Sequence, residues 1–158
     1  MEREFGPRQR HRVEHLGLPD KGHLDMMGDR GWIAVPQAIF LRELGENFRR
    51  YLTDDYLSRA YPLRDILNAG ITTALSSDAP VVRNASPLAG IKAAIEREDA
   101  TGNRIGPDQS ISVAEALYSY TCDAADVAGR DDIGRIVPGA RADLVVLGKD
   151  PMAVRSES

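Results

Sequence analysis

The sequence predicts an α/β fold with a parallel sheet, followed by a small β element at the C-terminal end. Two observations carry this. Strand-like apolar runs alternate with helix-like stretches through residues 1–130, the signature of strands joined by helical crossovers. The last run, "GRIVPGARADLVVLGKDP", instead follows helices and turns at Pro138-Gly139, which predicts a hairpin within residues 131–158. No internal repeat or low-complexity segment interrupts the pattern.

Each element has a local cause. "HRVEHL" (11–16) alternates as a short strand ending at Gly17. "PDKGHLDMMGDRG" (19–31) places Leu24 and Met27 three apart, a short helix closed by Gly28 or Gly31. "WIAVPQ" (32–37) is a second apolar strand, stopped by Pro36. Residues 38–60 contain helical spacing in "LRELGENFRRYL", but Gly45 interrupts it, so a long loop with one helical turn is expected. "YPLRDILNAG" (61–70) carries Pro62 near its first turn and Gly70 at its end, a helix by both signals. "ITTALSS" is the third strand. "SPLAGIKAAIERE" (86–98) has Ser86 as N-cap and Pro87 at the first helical position, with Leu88, Ile91 and Ile95 on one face. "SVAEALYSYTCDAADVAG" (112–129) opens with the capping box Ser112 to Glu115 and predicts two helices broken near Thr121.

Composition narrows the function classes. With 42% hydrophobic and 28% charged residues, the 158-residue chain is globular and able to bury a core. A net charge of -4, with basic clustering confined to the first twelve residues, argues against nucleic acid and anionic membranes as partners. The single cysteine, Cys122, forms no internal disulfide, which favours a reducing compartment. No apolar run approaches a membrane span and no signal-peptide core opens the chain, so a cytoplasmic protein is expected. One cysteine also excludes zinc-finger sites.

Asp78, in "TTALSSDAPV", is a lone carboxylate at the end of the third strand. Read by itself it suits a turn cap, since Asp is a common turn residue. From the residues alone that turn role is the plainer reading. His15 closes the first strand in the same way, and neutral imidazole there is either a satisfied polar group or a metal ligand. His15 and Asp78 stand 63 residues apart, which accommodates two βαβ steps of roughly 30 residues each. Gln37 at the end of the second strand and Arg64 before the third are candidates for substrate contact; a loop amide and a solvated helix arginine are the plainer alternatives. Glu14 faces away from His15 and is expected to pack between strand and helix with an arginine partner. His11 and His23 are left out of the site, and Cys122 has no base beside it to activate it.

"RVEHL", "LNAGITTALSSDAPV" and "GRIVPGARADLVVLGKDP", in this order, resemble the C-terminal part of the amidohydrolase superfamily. The branch resembled is the N-substituted formamide deformylase-type metal-dependent hydrolases. The likeness runs from about Arg10 to Met152. It implies a portion of a (β/α)8 TIM-type barrel, with "HRVEH", "WIAVP" and "TTALSSD" as strands six, seven and eight. The final segment would then be a hairpin of the small β-sandwich domain. By the same likeness His15 is a metal ligand, and Asp78 touches the metal and takes the proton of the activated water. The implied cofactor is a divalent metal, zinc first, and the implied substrate a small amide-like molecule cleaved at a C–N bond.

A complete barrel takes roughly 250 residues, and only ten residues precede the first strand here. Strands one to five, with the His-x-His pair of the family, are therefore expected to be missing, and His15 with Asp78 makes two ligands where a catalytic zinc takes three. A chain of this kind is expected to be inactive alone. It would be completed by a separate N-terminal half, self-associate, or serve as an inactive structural module.

Overall fold

The computed structural model describes residues 11–153. Its centre is a three-stranded parallel sheet in the order β1-β2-β3, formed by β1 (Arg12–His15), β2 (Ile33–Pro36) and β3 (Thr72–Thr73). Arg12 registers with Ile33 and His15 with Pro36, while Ile33 and Ala34 register with Thr72 and Thr73. β2 is the inner strand and all four of its residues are buried. That burial explains the unbroken apolar run "WIAVP", since a central parallel strand has no solvent face.

Helices connect the strands. α1 (Lys21–Asp29) lies between β1 and β2, capped by Asp20, whose carboxylate accepts from the His23 N–H at 2.9 Å. His23 reciprocates with Nδ1 on the Asp20 N–H, so this histidine is a capping residue. Leu24 and Met27 of α1 are buried against Trp32, Ala34, Ile66 and Ile71, which seals one face of the sheet.

The β2–β3 crossover holds α2 (Ile39–Tyr51), α3 (Asp54–Ser58) and α4 (Leu63–Asn68). α2 corrects the expected loop: thirteen residues run helically straight through Gly45. Glycine costs about 1 kcal/mol in a helix interior, but here it is buried where a Cβ would lie 2.7 Å from Asp99 Cβ and 2.8 Å from Ile105 Cδ1. The residue that reads as a helix breaker is the contact point where α2 meets the 97–105 turn.

α5 (Pro87–Glu96), α6 (Val113–Tyr120) and α7 (Cys122–Val127) follow β3, with a 3-10 turn at Pro107–Gln109. The Ser112–Glu115 capping box and the break at Thr121 are both present. α5 buries Gly90, Ile91, Ala93 and Ala94, whereas Leu88 is half exposed, so its inward face is rotated from the one expected. No helix among the described residues is long and apolar enough to cross a membrane.

The C-terminal hairpin expected around Pro138-Gly139 is not formed: no strand occurs from 131 to 153. A turn does form there, with the Ala140 N–H donating to Val137 O at 3.2 Å. Ile136, Val145 and Val146 are 90%, 82% and 97% exposed. Alternating apolar residues make a strand only when a neighbouring backbone completes the ladder, and two strands alone are marginal in water.

Candidate active site

A parallel sheet brings all its C-terminal ends to one rim. His15 ends β1, Gln37 follows β2, and the chain after β3 continues beside β2. There the Ala74 N–H donates to Ala34 O at 3.0 Å and the Ser76 N–H to Pro36 O at 3.1 Å. Asp78 stands two residues past that last rung. His15, Leu16 and Asp78 adopt φ of 66°, 45° and 53°. Left-handed backbone costs L-residues roughly 1–2 kcal/mol each, so the rim is locally strained where the candidate residues sit.

His15 and Gln37 are in direct contact, with His15 Nδ1 2.8 Å from Gln37 Oε1. The Gln37 amide nitrogen donates to Val35 O at 2.9 Å and to Ser76 Oγ at 2.8 Å. The exposed ring of His15 lies over Phe40, with centroids 6.3 Å apart and planes at 29°. Phe40 in turn meets Tyr61 edge to face at 6.1 Å. The Tyr61 ring packs against Gly17, where a Cβ would come within 3.2 Å of Tyr61 Cζ. Burial and, secondarily, the charge of Asp78 push the Tyr61 phenol up to about 12.

Asp78 does not cap the turn with its side chain. Its backbone carbonyl accepts from the Val81 N–H at 2.9 Å, while its half-buried carboxylate makes no hydrogen bond among the described residues.

The two residues expected to contact substrate both make hydrogen bonds within the chain. Gln37 is 2% exposed and turns inward, both amide protons used. Arg64 grips Glu115 at 2.7 and 2.8 Å and also donates to Ser110 O, joining α4 to α6. Arg64 first, then the Ser112 backbone N–H, holds the Glu115 carboxyl down at about 2. Glu14 has an arginine partner in Arg12 at 2.6 Å, but both side chains lie exposed on β1 and Glu14 is not packed between strand and helix, because the pair is made within the strand itself. The His11 ring meets Trp32 edge to face at 5.2 Å, and Cys122 Sγ donates to Gly134 O at 3.2 Å. Ser76, Phe40 and Tyr61 were not legible as site residues. Only Ser76, polar at the end of an apolar strand, carried a local signal.

Among the described residues no cluster of three or more His, Cys, Asp or Glu side chains could hold a metal ion. His15 and Asp78 offer one imidazole nitrogen and one carboxylate, donors that suit zinc but fall short of a whole site.

The chain matches the amidohydrolase family over residues 2–158. It is 32% identical over 143 residues to the N-substituted formamide deformylase of Arthrobacter pascens, covering 89% of this chain and 26% of that protein. Among solved structures it resembles a metal-dependent hydrolase from Pyrococcus horikoshii, with TM-score 0.82 and 24% identity over 96% of this chain and 31% of that one. It also resembles an atrazine chlorohydrolase from Arthrobacter aurescens crystallised with zinc, with TM-score 0.65 and 20% identity over 96% of this chain and 33% of that one. The chain thus spans about a quarter to a third of the length of these proteins.

Proposed function

The chain belongs to the amidohydrolase family, and we propose that it supplies the C-terminal part of a (β/α)8 barrel that hydrolyses a small amide-like substrate at a C–N bond. In this reading β1, β2 and β3 are barrel strands six, seven and eight. The observation that carries it is the rim: parallel register places His15, Gln37 and the Asp78 turn at one end of the sheet. A bound divalent cation, zinc by donor type, would supply the Lewis acid that makes water nucleophilic at neutral pH.

The chain's own residues then have separate tasks. His15 offers its ring nitrogen to the cation. Asp78, with a carboxylate uncommitted to any cap, takes a proton from the attacking water as its oxygen adds to the carbonyl carbon. It returns that proton to the nitrogen as the C–N bond breaks. Further ligands would come from the rest of the barrel, because two donors do not complete a catalytic zinc site.

The test is Asp78→Asn in an enzyme made by joining this chain to an N-terminal half that restores turnover. Asparagine keeps the shape and tolerates the left-handed turn but accepts no proton. Turnover at matched metal occupancy is expected to fall by roughly 10²–10⁴. Activity within a few-fold of the parent would remove Asp78 from the chemistry.

A second reading, an interaction module, is favoured by the exposed apolar side chains of 136–147 and by β1 and β3 as sheet edges among the described residues. Failure of every completed chain to turn over amide substrates, together with stable association through this tail, would favour it.

A further inference from the structure

We infer that Gln37 is a positioning residue that holds the neutral His15 imidazole in its Nδ1–H tautomer, leaving the Nε2 lone pair as the ring's free donor. The Val35 carbonyl sets the orientation of the Gln37 amide. That oxygen can only accept, so the amide end facing it at 2.9 Å must be the NH2 group. The second amide proton goes to Ser76 Oγ at 2.8 Å. Gln37 Oε1 is what remains, and it faces His15 Nδ1 at 2.8 Å. An amide oxygen cannot donate, so the proton between them belongs to the imidazole. A neutral ring carries one N–H, and with that proton on Nδ1 the other nitrogen is bare.

The surroundings make this arrangement stiff. Gln37 is 2% exposed, which keeps water from competing for its oxygen. Flipping the amide would set oxygen against the Val35 carbonyl and turn the NH2 toward the ring. Phe40 beneath the imidazole restricts rotation of the ring itself. A residue that reads in sequence as a substrate contact thereby becomes the orienter of the candidate ligand. The metal-binding part of this inference rests on the ligand role proposed for His15; the tautomer does not.

The decisive measurement is long-range proton–nitrogen NMR on the 15N-labelled, metal-free 158-residue chain. The spectra are recorded at about pH 8.5, some two pH units above the ordinary imidazole value of about 6.5. The chain has three histidines, and His15→Ala identifies the signals of interest. The wild-type spectrum is expected to show His15 protonated on Nδ1. Gln37→Leu should release it to a mixture or to the Nε2–H form. Ser76→Ala should leave the tautomer in place, because the Val35 carbonyl still orients the amide. Wild-type His15 protonated on Nε2, or a folded Gln37→Leu chain with an unchanged tautomer, would overturn the inference. Should Gln37→Leu fail to fold, the wild-type and Ser76→Ala spectra decide alone. Titration with zinc supplies the second arm, where affinity in Gln37→Leu is expected to fall 10–100-fold. Zinc that leaves the His15 signals unmoved while the Nδ1–H tautomer is present would support the Gln37 contact and sink the ligand role.

Discussion

Replacing Arg97 by Met should destabilise the chain far more than an ordinary substitution. Arg97 ends α5 with φ of 54° and is fully buried, yet among the described residues no carboxylate pairs with it. Its guanidinium instead reaches four backbone carbonyls, three of them at short distance: Nε to Ile105 O at 2.8 Å, Nη1 to Tyr61 O at 3.0 Å and Nη2 to Ala60 O at 2.7 Å, with Nη1 to Gln109 O longer at 3.5 Å. These contacts join the end of α5 to the turn before α4, and so hold Tyr61 against Gly17, two residues from His15. Hydrogen bonds to a charged group contribute roughly 1.5–3 kcal/mol each, so three give about 4.5–9 kcal/mol. Burial opposes this by pushing the guanidinium down to about 10, which at about 1.4 kcal/mol per tenfold costs about 3 kcal/mol. The difference, about 2–6 kcal/mol, is a large share of the 5–15 kcal/mol that holds a typical domain. Urea denaturation followed by circular dichroism checks it, with Arg97→Met expected to lower the midpoint without changing the slope. Arg97→Lys should recover only part, since one ammonium cannot span three separated carbonyls. Parent-like stability of Arg97→Met, within about 1 kcal/mol, would refute the reasoning and mean that the three carbonyls find other donors at no cost.

Gly45→Ala sets helix propensity against packing. The gain of about 1 kcal/mol should be outweighed by overpacking against Asp99 and Ile105, which typically costs about 1–3 kcal/mol, so the thermal midpoint should drop; a rise would mean the α2 contact yields. The Arg64–Glu115 pair predicts an acid limb. Because the folded value of Glu115, about 2, lies below the ordinary 4.5, its stabilisation is present above about pH 4.5 and is lost as pH falls toward 2. The pair is about one-third exposed, so solvent screening reduces it to about 1 kcal/mol. Glu115→Gln keeps the capping box and should flatten this part of the curve. Urea midpoints compared between pH 7 and pH 3 decide the matter, and equal losses in both proteins would remove the pair as the cause.

The elements legible in the sequence are those whose cause is local. The capping box at Ser112, the break at Thr121, Pro87 at the start of α5 and Gly31 and Gly70 in left-handed turns act within a few residues. Local φ preferences and nearby hydrogen bonds suffice to place them. Strand ends are legible for the same reason: His15 closes β1 and Gln37 follows β2, whereas β3 stops at Thr73 and Asp78 lies in the turn beyond it. What sequence reading missed depends on partners far along the chain. α2 runs through Gly45 because Asp99 and Ile105 leave no room for a side chain there, and Arg64 turns to Glu115, 51 residues away. Gln37 faces His15 and Ser76 rather than solvent because Val35, Ser76 and the ring close around its amide. The C-terminal residues carry a strand pattern and the Arg141 N–H reaches Asp132 O at 2.8 Å across the turn, yet no ladder forms among the described residues, since a β-strand is stabilised by its neighbour's backbone and not by its own alternation. Sequence alone thus determined which residues could form each turn, cap and strand end; the tertiary structure decided which polar groups meet, because a hydrogen bond between distant residues forms only where packing brings donor and acceptor within about 3 Å.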